Sequence, residues 1–233
     1  MRVKFVSSKE LAPEVRHFEF EAPDVEQFSF TPGQFISVVE HADSKEITRA
    51  YSIASPRGGN RFALCLNKIE GGRVSPRLFD LKPGDELEIR EPLGYFTLRH
   101  PGHRAVFIAT GTGIAPFRSM LLEHIPKTEP HITLLFGVRY ERGLLYGEEL
   151  FELARKHSHF GFLPTITRPT ETWAGRTGRV QAHLDEALDI KTPEEQATLD
   201  VYICGLKEMV DSVRKELKAR GFDRKQIIYE KYD

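Results

Sequence analysis

Residues 107–117 read Phe-Ile-Ala-Thr-Gly-Thr-Gly-Ile-Ala-Pro-Phe. The pattern predicts a short apolar strand that runs through a glycine turn, residues 110–113, into a helix opened by Pro116. Glycines at such a turn leave backbone N–H groups bare at the start of a helix, where a diphosphate can approach. The stretch departs from Gly-x-Gly-x-x-Gly, because Pro116 replaces the third glycine. It predicts a phosphate cradle, although an ordinary glycine-rich turn fits it too.

The order of apolar strand, turn and amphipathic helix recurs through the second half of the chain. The predicted pairs are Ala105–Ala109 with Pro116–His124, Ile132–Phe136 with Tyr146–Lys156, and Val201–Cys204 with Lys207–Arg220. The last helix carries apolar residues close to a 3.6-residue period and ends before Gly221. Repeated units of this kind predict an α/β fold with a doubly wound parallel sheet.

The first half has a different rhythm. Short segments of alternating hydrophobicity are separated by turn clusters such as Pro56–Asn60 and Lys82–Asp85. Segments spaced in this way favour a closed antiparallel β-barrel, with a β-sandwich as the alternative. Because the pattern changes near Leu98–His103, we predict two domains, residues 1–100 and residues 101–233.

Composition excludes several classes of protein. The 233 residues are 40% hydrophobic and 29% charged with a net charge of −1, which argues against a nucleic-acid-binding protein. Cys65 and Cys204 form no Cys-x-x-Cys pair, so we predict no disulfide framework, metal site or cysteine-held cluster. Apolar runs are far shorter than the roughly 20 residues of a membrane helix. We therefore expect a cytoplasmic monomer with no membrane partner.

Two motifs of the first half add to the glycine turn. Arg49-Ala50-Tyr51-Ser52 offers a guanidinium fork for a pyrophosphate, a flat face for an aromatic ring and a hydroxyl for a ring nitrogen. These groups suit a flavin, although a surface arginine beside a packed tyrosine fits the motif as well. Residues 71–76, Gly-Gly-Arg-Val-Ser-Pro, can wrap N–H groups and the Ser75 hydroxyl around the same pyrophosphate, or form a simple hairpin turn.

Taken together, the motifs resemble the ferredoxin-NADP reductase family nearly from end to end. They occur in that family's order and at similar spacing: Pro32–Phe35, Arg49–Ser52, Gly72–Ser75, Gly94–Phe96, Gly111–Pro116, Tyr202–Gly205 and Tyr229–Tyr232. The resemblance implies a barrel that holds FAD, an α/β domain that holds NADP(H), and hydride transfer from nicotinamide to flavin at the seam of the two domains.

The resemblance also implies roles for individual residues. Arg49 would bind the FAD pyrophosphate, Tyr51 would pack on the isoalloxazine, and Ser52 would hydrogen-bond near flavin N5. Further FAD contacts would come from Ala50, Leu66, Asn67, Lys68, Arg73, Val74, Ser75, Thr112 and Tyr232. The implied catalytic residues are Ser52, Cys204 and Glu230. Tyr232 would cover the flavin face where nicotinamide lands, although Asp233 follows it here.

For NADP, the implied residues are Gly111, Thr112, Gly113, Cys204 and Gly205, together with Arg139, Arg168 and Arg179. Guanidinium groups suit the 2′-phosphate that distinguishes NADP from NAD. Simple solvated arginines are the alternative. Thr167 stands where the family usually has serine, and its hydroxyl remains available.

The predicted function is therefore electron transfer between NADP(H) and a separate carrier protein, ferredoxin or flavodoxin. One alternative is an NAD(P)H-flavin reductase, whose members commonly lack the tyrosine of Arg-x-Tyr-Ser and the C-terminal aromatic residue. Another is an electron-transfer subunit of a larger redox complex, which the lack of clustered cysteines disfavours.

Overall fold

The computed structural model describes residues 1–42, 45–127 and 131–232. The chain divides into two compact units. The first comprises Met1–Leu98 and Ala115–Glu123, and the second comprises Arg99–Ile114 and His124–Asp233. The two-domain boundary at residues 100 and 101 stays a prediction.

The first unit is built on a six-stranded sheet. Its elements are β1 (Arg2–Ala12), β2 (Val15–Glu21), β3 (Phe35–Ala42), β4 (Lys45–Ser52), β5 (Arg61–Asn67), α1 (Ser75–Asp80) and β6 (Glu86–Leu93). The strands pair antiparallel in the order β4-β3-β6-β1-β2-β5. An antiparallel bridge between Ile53 and Leu64 joins the chain just after β4 to β5, so the two edges of the sheet meet. The predicted antiparallel barrel is confirmed.

Aromatic side chains fill the interior of this unit. Phe62 stacks on Phe28 and Phe20, with ring centroids 4.3 and 5.5 Å away, and Phe20 in turn lies 5.8 Å from Phe5. All four rings are buried. Alternating residues of a strand point to opposite faces, so Phe18 and Phe20 both reach the interior from β2. The alternating hydrophobicity of the first half is therefore the pattern of a sheet with one face in the core.

The second unit contains a parallel sheet. Helix α2 (Ile114–His124) follows β7 (Arg104–Thr110), but its residues 115–123 belong to the first unit. The second unit continues with β8 (Ile132–Val138), α3 (Gly147–Lys156), β9 (Phe160–Ile166), β10 (Arg176–Thr177), α4 (Leu184–Leu188), α5 (Pro193–Ala197), β11 (Leu199–Leu206), α6 (Lys207–Ala219) and β12 (Ile227–Tyr232). The strand order is β10-β9-β8-β7-β11-β12, and every pair is parallel. The predicted α/β parallel sheet is confirmed.

The order of these strands reverses at β7. From β7 the chain proceeds to β8, β9 and β10 on one side, and later to β11 and β12 on the other. In open parallel sheets, ligands bind beyond the carboxyl ends of the strands where the order reverses. The turn at Gly111–Gly113, which forms a short 3₁₀ segment directly after β7, lies at that position.

Several elements extend beyond the predicted ones. Helix α2 begins at Ile114, two residues before Pro116, so the proline occupies the first turn of the helix, where its missing N–H costs nothing. Strands β9 and β12 were not predicted. Pro164 interrupts the apolar run of β9, and β12 is half polar, so neither sequence reads as a buried parallel strand.

Gly33 provides a test of packing in the first unit. Gly33 and Gly84 have similar φ values, 100° and 95°, but their surroundings differ. A Cβ added at Gly33 would collide with the Phe96 carbonyl oxygen, whereas a Cβ added at Gly84 would meet nothing within 4 Å. We expect Gly84→Ala to cost about 1–2 kcal/mol from backbone strain. Gly33→Ala should cost about 1–3 kcal/mol more, because the crowded carbonyl must also move. Urea unfolding followed by circular dichroism measures both, and equal costs would refute the packing argument.

Candidate active site

The end of β4 carries the predicted flavin motif. Arg49 and Tyr51 alternate with Ala50 and Ser52 along the strand, so the two pairs point to opposite faces. The Arg49 guanidinium is exposed and donates to the Thr48 carbonyl over 2.8 Å. Tyr51 packs partly buried against the core, and this burial raises the pKa of its phenol to about 12, with Arg49 opposing. The motif therefore offers an accessible cation beside a neutral aromatic ring.

Gln34 joins three of the sequence motifs. Its backbone carbonyl accepts from Ile53 N at 2.9 Å, directly after Ser52. Its side-chain oxygen accepts from Thr31 N at 2.8 Å, and its side-chain nitrogen donates to the Gly94 carbonyl at 3.4 Å. The segments Pro32–Phe35, Arg49–Ser52 and Gly94–Phe96, far apart in sequence, thus meet at one end of the barrel.

The turn before α1 is tight. Gly72 N donates to the Ile69 carbonyl at 2.9 Å, and an added Cβ at Gly72 would lie 2.9 Å from that same oxygen. The buried Ser75 hydroxyl accepts from Ile69 N at 2.9 Å, and a hydroxyl that accepts is still able to donate. Arg73 is exposed beside this turn. A cradle of this kind fits the pyrophosphate of FAD.

The other predicted FAD contacts differ in how far their side chains are exposed. The side chains of Leu66 and Val74 belong to the hydrophobic core of the first unit. Asn67 is partly buried at the end of β5, and the Lys68 ammonium lies 5.9 Å from the centroid of the Phe79 ring. The roles assigned to these residues stay predictions.

In the second unit, the turn after β7 lies against the end of β11. An added Cβ at Gly113 would collide with the Cys204 carbonyl oxygen and lie 2.9 Å from Gly205 N. Gly205 has φ of 150°, and a Cβ there would collide with the Thr110 hydroxyl oxygen. That hydroxyl oxygen is buried and has no hydrogen-bond partner among the described residues. Bare glycine backbone together with an unsatisfied hydroxyl fits the diphosphate of a nicotinamide nucleotide.

The three residues of this turn differ in their exposure to solvent. Gly111 has φ of 54°, is exposed and has open space around it, whereas Gly113 is buried and Thr112 is intermediate. Gly111 is therefore the member of the turn that a ligand approaches most easily. The contact predicted between Thr112 and the flavin stays a prediction.

Cys204 and Glu230 are brought together by strand pairing. Cys204 on β11 pairs with Glu230 on β12 and with Ala109 on β7. The thiol is fully buried, and this burial, reinforced by the Glu230 carboxylate, raises the pKa of Cys204 well above its ordinary value. A side-chain hydrogen bond from Tyr232 opposes that rise. Cys204 is therefore a neutral thiol at physiological pH rather than a thiolate nucleophile.

Two of the three predicted catalytic residues thus meet, while Ser52 belongs to the first unit, where it is buried at the end of β4. Its action together with Cys204 and Glu230 stays a prediction. The half-buried Tyr232 side chain forms a hydrogen bond with Cys204. Its placement over the flavin also stays a prediction. Asp233 lies outside the described residues.

The predicted arginines lie at the carboxyl ends of neighbouring strands. Arg139 directly follows β8, and Arg168 and Arg179 come two residues after β9 and β10. Arg168 N donates to the Arg139 carbonyl at 2.9 Å, and Gly178 N donates to the Ile166 carbonyl at 2.9 Å. All three arginine side chains are exposed, as binding to a phosphate requires.

Tyr140 and Arg142 were missed in the sequence and belong to this basic group. A hydrogen bond from Arg168, helped by the charges of Arg139 and Arg142, lowers the pKa of Tyr140. The guanidinium carbons of Arg139 and Arg142 lie 5.6 and 5.2 Å from the centroid of the Tyr140 ring. The clustering of Arg139, Tyr140 and Arg142 within four residues was the available signal.

Among the described helices, none combines the length and the apolar character that crossing a membrane requires.

Comparison with known protein families places both units. A model described as an oxidoreductase FAD-binding domain matches residues 2–98, and one described as an oxidoreductase NAD-binding domain matches residues 107–215. The chain is 39% identical over 236 residues to ferredoxin--NADP reductase B of Sorangium cellulosum (strain So ce56), and the match covers 99% of this chain and 96% of that protein.

A more distant relative has a different role. The toluate 1,2-dioxygenase electron transfer component of Pseudomonas putida is 27% identical over 226 residues, which cover 96% of this chain but 65% of that protein. Among solved structures, a ferredoxin NADP+ reductase from Neisseria gonorrhoeae with bound FAD and NADP has a TM-score of 0.84 at 25% identity. That match covers 99% of this chain and 98% of the other.

The raised pKa of Cys204 makes stability depend on pH. Above about pH 8.5 the unfolded thiol loses its proton while the folded thiol keeps it, so the unfolded state is favoured as pH rises. Between pH 8.5 and 9.5 the wild type should lose about 1 kcal/mol of unfolding free energy more than Cys204→Ala loses, because the unfolded thiol is already half ionised at pH 8.5. Urea unfolding of both proteins across this range measures the difference, and parallel curves would show that the folded thiol ionises normally.

Proposed function

Because the chain belongs to the ferredoxin-NADP reductase family of FAD-dependent oxidoreductases, we propose that it passes electrons between NADP(H) and a separate one-electron carrier, a ferredoxin or a flavodoxin. The observation that supports this proposal most is the contact of the Gly113 turn with Cys204 and Gly205 where the strand order reverses. Glycine backbone, a neutral thiol and the Glu230 carboxylate together suit a nicotinamide nucleotide.

Residues 1–100 are proposed as the FAD domain. The chemistry that bound FAD supplies is the conversion of one two-electron hydride transfer into two single-electron steps. Arg49 would hold the pyrophosphate with charge-assisted hydrogen bonds, joined by Arg73, backbone N–H groups of the turn and the Ser75 hydroxyl. Tyr51 would lie against the isoalloxazine, and its raised pKa keeps the phenol neutral there. Ala50, Leu66, Asn67, Lys68 and Val74 would add contacts.

Ser52 is proposed to act on the reacting end of the flavin. A hydroxyl placed near flavin N5 donates a hydrogen bond where charge develops during hydride transfer. Because Ser52 is buried and its neighbour Ile53 is fixed by the Gln34 carbonyl, the hydroxyl is held in place before the reaction. Such preorganisation favours the transition state over the ground state.

Residues 101–233 are proposed as the NADP(H) domain. Gly111, Thr112 and Gly113 would cradle the diphosphate, and Arg139, Arg168 and Arg179 would surround the 2′-phosphate. Cys204 and Gly205 would place the nicotinamide, with the neutral thiol excluding water from the reacting face. Glu230 would orient the nicotinamide, and Tyr232 would cover the flavin until the nucleotide displaces it.

The relative named as an electron transfer component of a dioxygenase supports a second candidate function. An electron transfer component of a dioxygenase matches over nearly the whole of this chain. In that case the acceptor would be the redox centre of an oxygenase system. A flavin reductase is less well supported, because Tyr51 and Tyr232 are both present. The cytoplasmic location and the monomeric state stay predictions.

Nucleotide preference tests the role of the basic group. Replacing both Arg168 and Arg179 by alanine should raise KM for NADPH at least tenfold and leave KM for NADH nearly unchanged, because each charge-assisted contact contributes about 1.5–3 kcal/mol. Arg155→Ala, on the exposed face of α3, is the matched control and should change neither value. Equal effects on both nucleotides would show that the two arginines do not bind the 2′-phosphate.

The hydride step tests the proposed catalytic residues. Ser52→Ala and Glu230→Ala should each slow reduction of bound FAD by NADPH about tenfold or more while FAD content stays full, because orientation and charge stabilisation are lost. Anaerobic stopped-flow absorbance measures the rate. Ser7→Ala and Glu152→Ala are exposed controls that should leave it unchanged. Wild-type rates in both active-site variants would mean that these residues take no part in the step.

A further inference from the structure

A cluster of two histidines and one aspartate lies at the other end of the second unit's sheet, where β7 and β11 begin. Asp200 is the second residue of β11 and pairs with Ala105 of β7. His103 directly precedes β7, and His100 lies three residues earlier. His103 N donates to the His100 carbonyl at 2.9 Å, so a tight turn through Pro101 and Gly102 brings the two rings together.

The three side chains converge on one point. His100 Nδ1 lies 2.7 Å from Asp200 Oδ2, and His103 Nδ1 lies 3.7 Å from the same oxygen. One donor atom from each residue lies within 4.8 Å of the other two. The Asp200 side chain is only 5% exposed, whereas the imidazoles of His100 and His103 are 51% and 40% exposed. The cluster therefore has a buried carboxylate on its inner side and two imidazole rings that reach the solvent on its outer side.

The described protein groups leave part of the hydrogen-bonding capacity of this cluster unused. His103 Nδ1 is buried and has no hydrogen-bond partner in the described part of the chain. The 3.7 Å separation from Asp200 is too long for a hydrogen bond. A buried polar nitrogen without a partner is costly, and so is the negative charge of a buried carboxylate. A cation among the three donor atoms would satisfy both.

The distances suit a small tetrahedral ion. Zinc-to-nitrogen and zinc-to-oxygen bonds of about 2.0–2.1 Å place neighbouring ligand atoms about 3.3 Å apart. The observed separations of 2.7 and 3.7 Å lie on either side of that value, and the two imidazole donor atoms lie within 4.8 Å of each other, so rotation of the side chains would complete the geometry. Two imidazoles with one carboxylate favour zinc over magnesium or calcium, which prefer oxygen ligands.

We propose that His100, His103 and Asp200 bind one Zn²⁺ ion, with solvent in the fourth position. The ion would clamp residues 99–103 to the start of β11. That segment is already tied to the same strand by Arg99 N, which donates to the Tyr202 hydroxyl at 2.8 Å. The site is separate from the nucleotide cradle, since it lies at the amino ends of strands whose carboxyl ends carry Gly111–Gly113 and Gly205.

The test uses the untagged, FAD-loaded full chain after chelator treatment and desalting. Isothermal titration calorimetry with zinc chloride should show one strong site per chain. His103→Ala and Asp200→Asn should each weaken zinc affinity at least tenfold. His157→Ala is the matched control, because His157 and His159 form another close histidine pair, with ring centroids 5.6 Å apart, and it should keep wild-type affinity.

Two further measurements keep the result decisive. Circular dichroism with thermal unfolding checks that each variant folds, and His100→Ala, which removes an exposed ring, replaces any variant that does not. Zinc-edge anomalous diffraction should place the ion beside all three side chains. The proposal is overturned if the wild type binds no zinc, if His157→Ala weakens binding as much as His103→Ala, or if the ion lies elsewhere.

Discussion

The close approach of Gly113 to the end of β11 is the contact on which the second unit's site depends. Any side chain at residue 113 would displace the Cys204 carbonyl, and any side chain at Gly205 would collide with Thr110. Because both positions lack a Cβ, the turn after β7 lies directly against the strand that carries Cys204. Strand pairing then fixes Glu230 beside Cys204. One steric constraint therefore sets the spacing between the turn proposed as the phosphate cradle and the thiol.

In the first unit, hydrogen bonds rather than close backbone packing hold the predicted site residues in place. Gln34 uses its backbone carbonyl and both ends of its side-chain amide to hold the end of β4 and two loop segments together at one end of the barrel. The buried phenylalanines below supply a rigid support. Arg49 and Tyr51 are consequently presented from a strand rather than from a loop, which favours precise placement of a bound cofactor.

The architecture was largely predictable because hydrophobic periodicity reports which faces are buried. Helix α6 and strands β7, β8 and β11 match their periodic segments closely. Strand β12 was missed because Glu230 and Lys231 give it a polar character, although its pairing with β11 is what places Glu230. The basic group was only partly predicted, since Tyr140 and Arg142 join it through geometry at the strand ends. The histidine cluster was missed because Asp200 is remote in sequence from His100 and His103.

An anaerobic turnover experiment tests the proposed transfer of electrons from NADPH through bound FAD to a separate carrier. The FAD-loaded chain is mixed with NADPH and either oxidised ferredoxin, oxidised flavodoxin or free FMN, and the chain is then separated by filtration and its flavin content measured. Electron transfer by this route predicts rapid reduction of at least one carrier protein, with FAD retained by the chain. Turnover with free FMN alone, or loss of flavin from the chain during turnover, would contradict it.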